Sequence, residues 1–227
     1  IVDITGIKQL RGISRTDEGV RIGATTTWRE LIKADLGPEF DGLKLAAREV
    51  GAKQIQNRGT IAGNLCNASP AADGVPPLLT LDAQDEVERT NGTRVLGFRD
   101  FILGPRDTAL TSGDIVTAIL IPNTALRGRS HFLKLGARAY LIISIAMTTA
   151  RIDIKDGVVT DAALAGGACG PVATRLPDLE GAMIGRPLDI SIITDRAVAD
   201  TIQPIDDVRA DAAYRAKCVA ELLRRTV

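Results

Sequence analysis

The sequence predicts an α+β fold in two parts. A mixed unit of strands and helices spans residues 1–125, and a second unit over 128–227 has an antiparallel sheet packed on a C-terminal helical group. Three observations carry this reading. A hairpin signature, EVERT-NG-TRVLG, stands in the first half. Three strand-like runs, HFLKLG, SIAMTTARIDI and VVTDAALAGGAC, follow one another in the second half as a meander. An amphipathic stretch over 208–225 closes the chain, with Val208, Ala212, Ala216, Val219 and Leu223 on one face.

Taken in order, VRIGAT (20–25) reads as a strand. Thr27-Trp28-Arg29-Glu30 fits a capping box, in which the threonine hydroxyl and the glutamate carboxylate satisfy orphan N–H groups of a helix carrying Leu31 and Ile32. A second helix over 43–50 places Leu43, Ala46, Ala47 and Val50 on one face. NRGTIAGNLCNASPAAD (57–73) is a polar, glycine-punctuated run that reads as a loop, with Ser69-Pro70 suited to start a helix and VPPLLTLDA continuing as a short apolar one. Asn91-Gly92 supplies the two positive-φ positions of a type I′ turn. FRDFI (98–102) is a helical turn, and DIVTAILIP (114–122) is a buried strand stopped by Pro122. The polar, basic run 123–130 divides the two parts. Beyond it Lys155-Asp156-Gly157 turns the meander, and helices are expected over 176–184 and 190–202.

Composition excludes several classes. Lys+Arg and Asp+Glu both number 28 in 227 residues, so no field of one sign attracts a nucleic-acid backbone or an anionic membrane. The three cysteines (Cys66, Cys169 and Cys218) are odd in number and far apart. They predict neither a disulfide framework nor a metal cluster, and they suit a reducing cytoplasm. No apolar run reaches the length of a membrane span, and IVDITGIKQL lacks the pattern of a secretory leader.

The catalytic inventory is thin. His131, the single histidine, stands beside Phe132 and reads as structural or surface. No HExxH, CxxC, GxSxG, Walker or GxGxxG sequence occurs. Cys66 reads as a small buried filler in preference to a reactive thiol, and Cys218 as structural. AGGACG (165–170) is either an anion-binding turn or a strand end with a bulge. That leaves GTIAGN and the following NASPAAD. Gly59 and Gly63 allow a close backbone approach to a ligand, and successive N–H groups can cradle a pyrophosphate without a cation. Asn64, Asn67 and Ser69 add neutral donors and acceptors, and Asp73 adds an acceptor for a hydroxyl or imide N–H. The inventory suits a large hydrogen-bonding cofactor. On motif physics alone, an irregular connection capping a following helix explains the run equally well.

KQIQNRGTIAGNLCNASPAAD resembles the second FAD-binding loop in the flavin subunits of molybdenum hydroxylases, the family of xanthine dehydrogenase and aerobic carbon monoxide dehydrogenase. The pattern there is roughly QIRNxGTIGGNLxxASPxxD. The likeness extends through IVDITGIKQLRGI, VRIGATTTWREL, PPLLTLDA, FILGPRDTALTSGDIVTAILIP, FLKLGAR and GPVATRLPDLEGAMIG, which together cover essentially the whole sequence. The resemblance implies an FAD-binding unit followed by a C-terminal flavoprotein unit. It implies that Thr60, Ile61, Ala62, Gly63 and Asn64 wrap FAD and that Asn67 and Asp73 hydrogen-bond it. Val116 and Lys134 are implied to lie near the flavin ring, where a lysine cation would stabilise a reduced, anionic flavin. It implies partners as well: a small iron–sulfur subunit with 2Fe–2S clusters and a large molybdopterin subunit, assembled as a dimer of heterotrimers. Electrons would leave through an acceptor such as NAD+. A structural subunit that has lost FAD and a stand-alone FAD oxidoreductase are the alternatives. Two departures stand out. Ala62 replaces a usual glycine, which matters only if its φ is positive. The sequence also opens after the position of the family's earlier, AGGTD-type loop.

Overall fold

A computed structural model describes residues 2–227. The chain opens with β1 (Ile13–Thr16) and β2 (Gly19–Gly23), then a run of short helices: α1 (Trp28–Lys33), α2 (Asp41–Glu49), α3 (Lys53–Gln56), α4 (Ile61–Cys66) and α5 (Val75–Thr80). Next come β3 (Gln84–Arg89), β4 (Gly92–Gly97), α6 (Phe98–Phe101), the small pair β5 (Ile102–Gly104) and β6 (Asp107–Thr108), and β7 (Ile115–Pro122). The second half holds β8 (Arg129–Leu135), β9 (Ala146–Lys155), β10 (Val158–Gly167) and β11 (Thr174–Arg175), followed by α7 (Pro177–Met183), α8 (Asp195–Ala199) and α9 (Ala212–Thr226).

Two antiparallel sheets organise these elements. The first runs β1-β2-β7-β3-β4, with β7 at its centre, and the second runs β11-β10-β9-β8. Ile22, Ile119 and Leu96 lie along one line of paired residues through the first sheet, with Asp85 between the last two. Paired residues share a face, so the apolar members of this line join the core formed with Trp28, Leu31, Phe40, Leu65 and Leu78. A second core forms where α7, α8 and α9 cover the other sheet, around Leu164, Leu179, Val198, Val219 and Leu223.

Helix α5 joins the halves. All six of its residues are buried. An added Cβ on Gly167 of β10 would fall 2.7 Å from Pro76, so glycine is what lets the helix approach the second sheet. Two buried carbonyls at the C-terminal end of α5 accept from arginines of that sheet. Arg151 Nε donates to Thr80 O at 2.7 Å and Arg175 Nη1 to Leu79 O at 2.8 Å. Cations at this end also oppose the negative pole of the helix dipole. Asp161 and Glu180 pair with these two arginines at 2.6 Å, which keeps the buried charges compensated.

Several local expectations hold. The capping box is present, with Thr27 accepting from Glu30 N and the Glu30 carboxylate accepting from Thr27 N at 2.8 Å. The meander and the helix after Leu176 are also in place. Others are corrected. The type I′ geometry is not at Asn91-Gly92: Arg89 pairs with Gly92, so Thr90 and Asn91 form the turn and only Gly92 has positive φ, 128°. The turn with two left-handed residues is Asp156 (φ 52°) and Gly157 (φ 77°), between the paired Lys155 and Val158. The helix expected over 190–202 breaks, because Thr194 stops one 3-10 turn and caps α8 by accepting from Ala197 N. The last helix starts at Ala212 and not at 208. Asp211 is its N-cap, accepting from Tyr214 N, which leaves Val208 98% exposed outside the apolar face.

Candidate functional site

The segment read as a loop over 57–73 holds a six-residue helix, α4, at its centre. Thr60 sits extended at φ −109°, ψ 155°, and its hydroxyl accepts from Gly63 N at 3.1 Å, capping α4. Two backbone bonds bind the start of α4 to the start of α1. Trp28 N donates to Gly59 O and Ile61 N donates to Thr26 O, both at 3.1 Å. Ser69-Pro70 starts no helix; turns carry the chain to α5 at Val75. The polar composition is that of a short amphipathic helix. Ile61, Ala62 and Leu65 face the core, while Gly63 and Asn67 are exposed and Asn64 is half-buried.

This placement resolves Ala62. The residue lies inside α4 in the ordinary helical region, and its methyl is buried in the first core. The added carbon therefore fills core space and leaves the outer face unchanged. Ile61 likewise spends its side chain on packing. Only the backbones of these two residues are available to a ligand.

The glycines divide in the same way. An added Cβ on Gly59 would lie 3.0 Å from Ile55 O and 3.4 Å from Trp28, and one on Gly74 only 2.6 Å from Trp28. Both make room for the indole, so the close approach expected at Gly59 is to the protein itself. At Gly63 a Cβ would meet only the Thr60 hydroxyl, at 2.8 Å. The outer face of α4 is open there.

Asn64 Oδ1 accepts from Gly74 N at 3.3 Å and pins the end of the segment to its beginning. Asn67 accepts from the Arg106 guanidinium, whose own backbone N–H donates to Ala68 O at 2.8 Å. Arg106 was not legible as a site neighbour. The one available cue is that it follows the same glycine-proline turn, GPR, that closes β5. Cys66 is an exposed residue, against the expectation of a buried filler. Its thiol is nevertheless desolvated, and burial first, then the Asp85 charge, push it up to about 11. It is not a poised nucleophile.

The structure brings Asp73 and Lys134 together. Lys134 shares a face of β8 with Phe132 and Ser130, and its Nζ donates to Asp73 Oδ1 at 3.2 Å and to Oδ2 at 3.4 Å. The side chains are 7% and 14% exposed, so Lys134 is no solvated strand lysine. Ser144 Oγ donates to Asp73 Oδ1 at 3.1 Å, a partner that the sequence reading missed. Burial raises the Asp73 carboxyl above its ordinary range. The Lys134 charge and hydrogen bond, then the Ser144 hydroxyl, pull it back, and Glu49 adds a small push upward. Val116 lies buried on β7, paired with Val87 within the first core.

These residues fit a hydrogen-bonding cofactor. Among the described residues, Oδ2 of Asp73 accepts only the long Lys134 bond and Lys134 Nζ donates to Asp73 alone, so both keep capacity for a ligand. The outer face of α4 adds the half-buried Asn64 amide and the exposed Asn67 amide beside the open Gly63 position. The AGGACG run gives a strand end: β10 stops at Gly167 and Ala168 turns at φ 59°. Among the described residues no group of three or more His, Cys, Asp or Glu is placed to hold a metal ion, and no helix is long and apolar enough to cross a membrane.

Comparison with known proteins adds to this geometry. A family model for the FAD binding domain in molybdopterin dehydrogenase matches residues 1–124, and one for the CO dehydrogenase flavoprotein C-terminal domain matches residues 131–227. The chain is 31% identical over 232 residues to the nicotinate dehydrogenase FAD-subunit of Eubacterium barkeri, covering 99% of this chain and 78% of that one. It is 30% identical over 241 residues to the carbon monoxide dehydrogenase medium chain of Afipia carboxidovorans, covering 100% and 80%. The solved carbon monoxide dehydrogenase from Hydrogenophaga pseudoflava superposes with a TM-score of 0.89 at 26% identity, covering 99% of this chain and 79% of that one.

Proposed function

The chain belongs to the FAD-binding medium subunits of the molybdenum hydroxylase family, and from that premise we propose that it carries electrons from 2Fe–2S clusters on a small partner subunit, through FAD, to an acceptor such as NAD+. The substrate would be oxidised on a molybdopterin-bearing large subunit, in a dimer of heterotrimers working in the cytoplasm. Residues 1–125 would form the FAD-binding domain and 128–227 the C-terminal flavoprotein domain.

FAD, when bound, supplies a carrier that can take electrons one at a time and release them in pairs. This chain's residues bind and tune it. Thr60, Gly63, Asn64 and Asn67 offer the outer face of α4, with the Ile61 and Ala62 backbones beneath, and Val116 closes the apolar side. Asp73 accepts a hydrogen bond, and Lys134 adds a donor whose charge Asp73 largely compensates. The single observation that carries the reading is the Asp73–Lys134 pair, withdrawn from water yet short of its full set of hydrogen bonds.

Purifying the native complex and recording its absorbance tests this. Flavin bands at one FAD per chain, bleached when the molybdenum substrate is added and restored by NAD+, are the expected result. Bound iron–sulfur partners without flavin would mark a structural subunit. A yellow chain active on its own would mark a stand-alone oxidoreductase.

A further inference from the structure

Ser144 lies outside the motif that marks this site. It is 2% exposed, at the end of the connection from β8 to β9. Among the described residues its hydroxyl donates to Asp73 alone. The two acceptor directions of Oδ1 are thus filled, by Lys134 at 3.2 Å and Ser144 at 3.1 Å, while Oδ2 takes one long bond of 3.4 Å. The backbone next to Ser144 is held on both sides. Ile145 N donates to Leu135 O at 2.7 Å, and Ile145 O accepts from the buried Arg215 guanidinium. Residues just before it differ: Tyr140 and Leu141 are exposed and left-handed, at φ 63° and 52°. The serine is therefore the fixed end of an otherwise exposed connection, and it points at the carboxylate.

We propose that Ser144 is a positioning residue of the flavin site, holding the Asp73 carboxylate with Oδ1 filled so that Oδ2 stays the open acceptor for FAD. The inference rests on the FAD reading above. A hydroxyl that donates to a carboxylate favours its charged form. The other ionic groups around Asp73 are Lys134 from β8, which acts in the same sense, and Glu49 from α2, which opposes it. Arg48, His131 and Arg138 line the hollow that Lys134 also borders. Loss of the Ser144 bond leaves Lys134 as the carboxylate's one partner, so the proton is lost at a higher pH and the carboxylate turns more freely.

The test is the FAD dissociation constant across pH, followed by flavin fluorescence on the full chain in its native complex after FAD removal. For the wild type, binding weakens as pH falls through the Asp73 midpoint. In Ser144→Ala that midpoint moves up by about one pH unit, a tenfold change in the protonation constant, as expected for a lost hydrogen bond to a charged group. Ser144→Thr restores the wild-type midpoint, and Ser144→Cys, a weaker donor, moves it part of the way even if the alanine variant does not fold. An unmoved midpoint, or weakening by the same factor at every pH, overturns the assignment. A wild type that binds no FAD at any pH would instead overturn the underlying reading.

Discussion

Asp73 and Asp85 are both carboxylates withdrawn from water, one with partners and one without. Asp73 has Lys134 and Ser144 within 3.4 Å and keeps one oxygen under-used. Asp85 lies in the middle of the first sheet, paired across it with Leu96 and Ile119, at 0% exposure, with no hydrogen bond to either oxygen among the described residues. Burial pushes both carboxyls upward, and at Asp85 nothing opposes it, so that group reaches about 8. The contrast separates two uses of buried acid. At Asp73 the structure supplies a cation and a hydroxyl, and both favour the charged form against the upward push of burial. At Asp85 it supplies neither, so the group sits protonated, and whatever it costs is borne by the fold.

Removing the acid at Asp85 gives the largest expected effect. Its folded value, about 8, stands above the ordinary 3.8. The contribution of this group to stability is therefore fully present below pH 4 and is lost as pH rises from there to about 8. Asp85→Asn abolishes this slope. It should match the wild type near pH 4 and exceed it by about 4 kcal/mol at pH 7, on linkage of about 1.4 kcal/mol per pH unit. Urea unfolding at four or five pH values measures this. Parallel curves for the two proteins would mean that Asp85 finds a partner and that the contrast is false.

A smaller effect comes from turning Asp73 into a second Asp85. Lys134→Met removes the cation and leaves a buried carboxylate with one hydroxyl. The expected loss is about 3 kcal/mol at pH 8, shrinking toward pH 5 as Asp73 takes up a proton. Adding Asp73→Asn to the same chain should recover most of it. Equal losses at pH 5 and pH 8 would show that Lys134 contributes packing and not charge.

How much of this was legible depended on the range of the interaction. The Thr27–Glu30 box lies within one helical turn and could be read directly, as could the continuous apolar run that buries β7. The chemistry of GTIAGN was legible, but its conformation was not. The six residues of α4 are too few for a periodicity to show, and the helix is held by bonds to Thr26 and Trp28 far back in the chain. Gly59 looked like a ligand-facing glycine because the indole it accommodates is remote in sequence. The partnership of Asp73 with Lys134 and Ser144 spans 61 and 71 residues and exists only through the fold. Asp85 was passed over because an acidic residue in a polar-looking strand, QDEVER, gives no hint that it points inward. The Asp156-Gly157 turn carries the same chemistry as Asn91-Gly92, but only strand register tells which pair occupies the two turn positions.

The central claim is that the Asp73 carboxylate, held by Lys134, binds FAD. Asp73→Asn tests it most directly, because the amide keeps the shape and still offers Lys134 an oxygen. The account predicts a complex that folds and assembles normally but binds FAD at least about tenfold more weakly, as expected when a hydrogen bond to a charged acceptor is lost. FAD retained at the wild-type stoichiometry and affinity would contradict it.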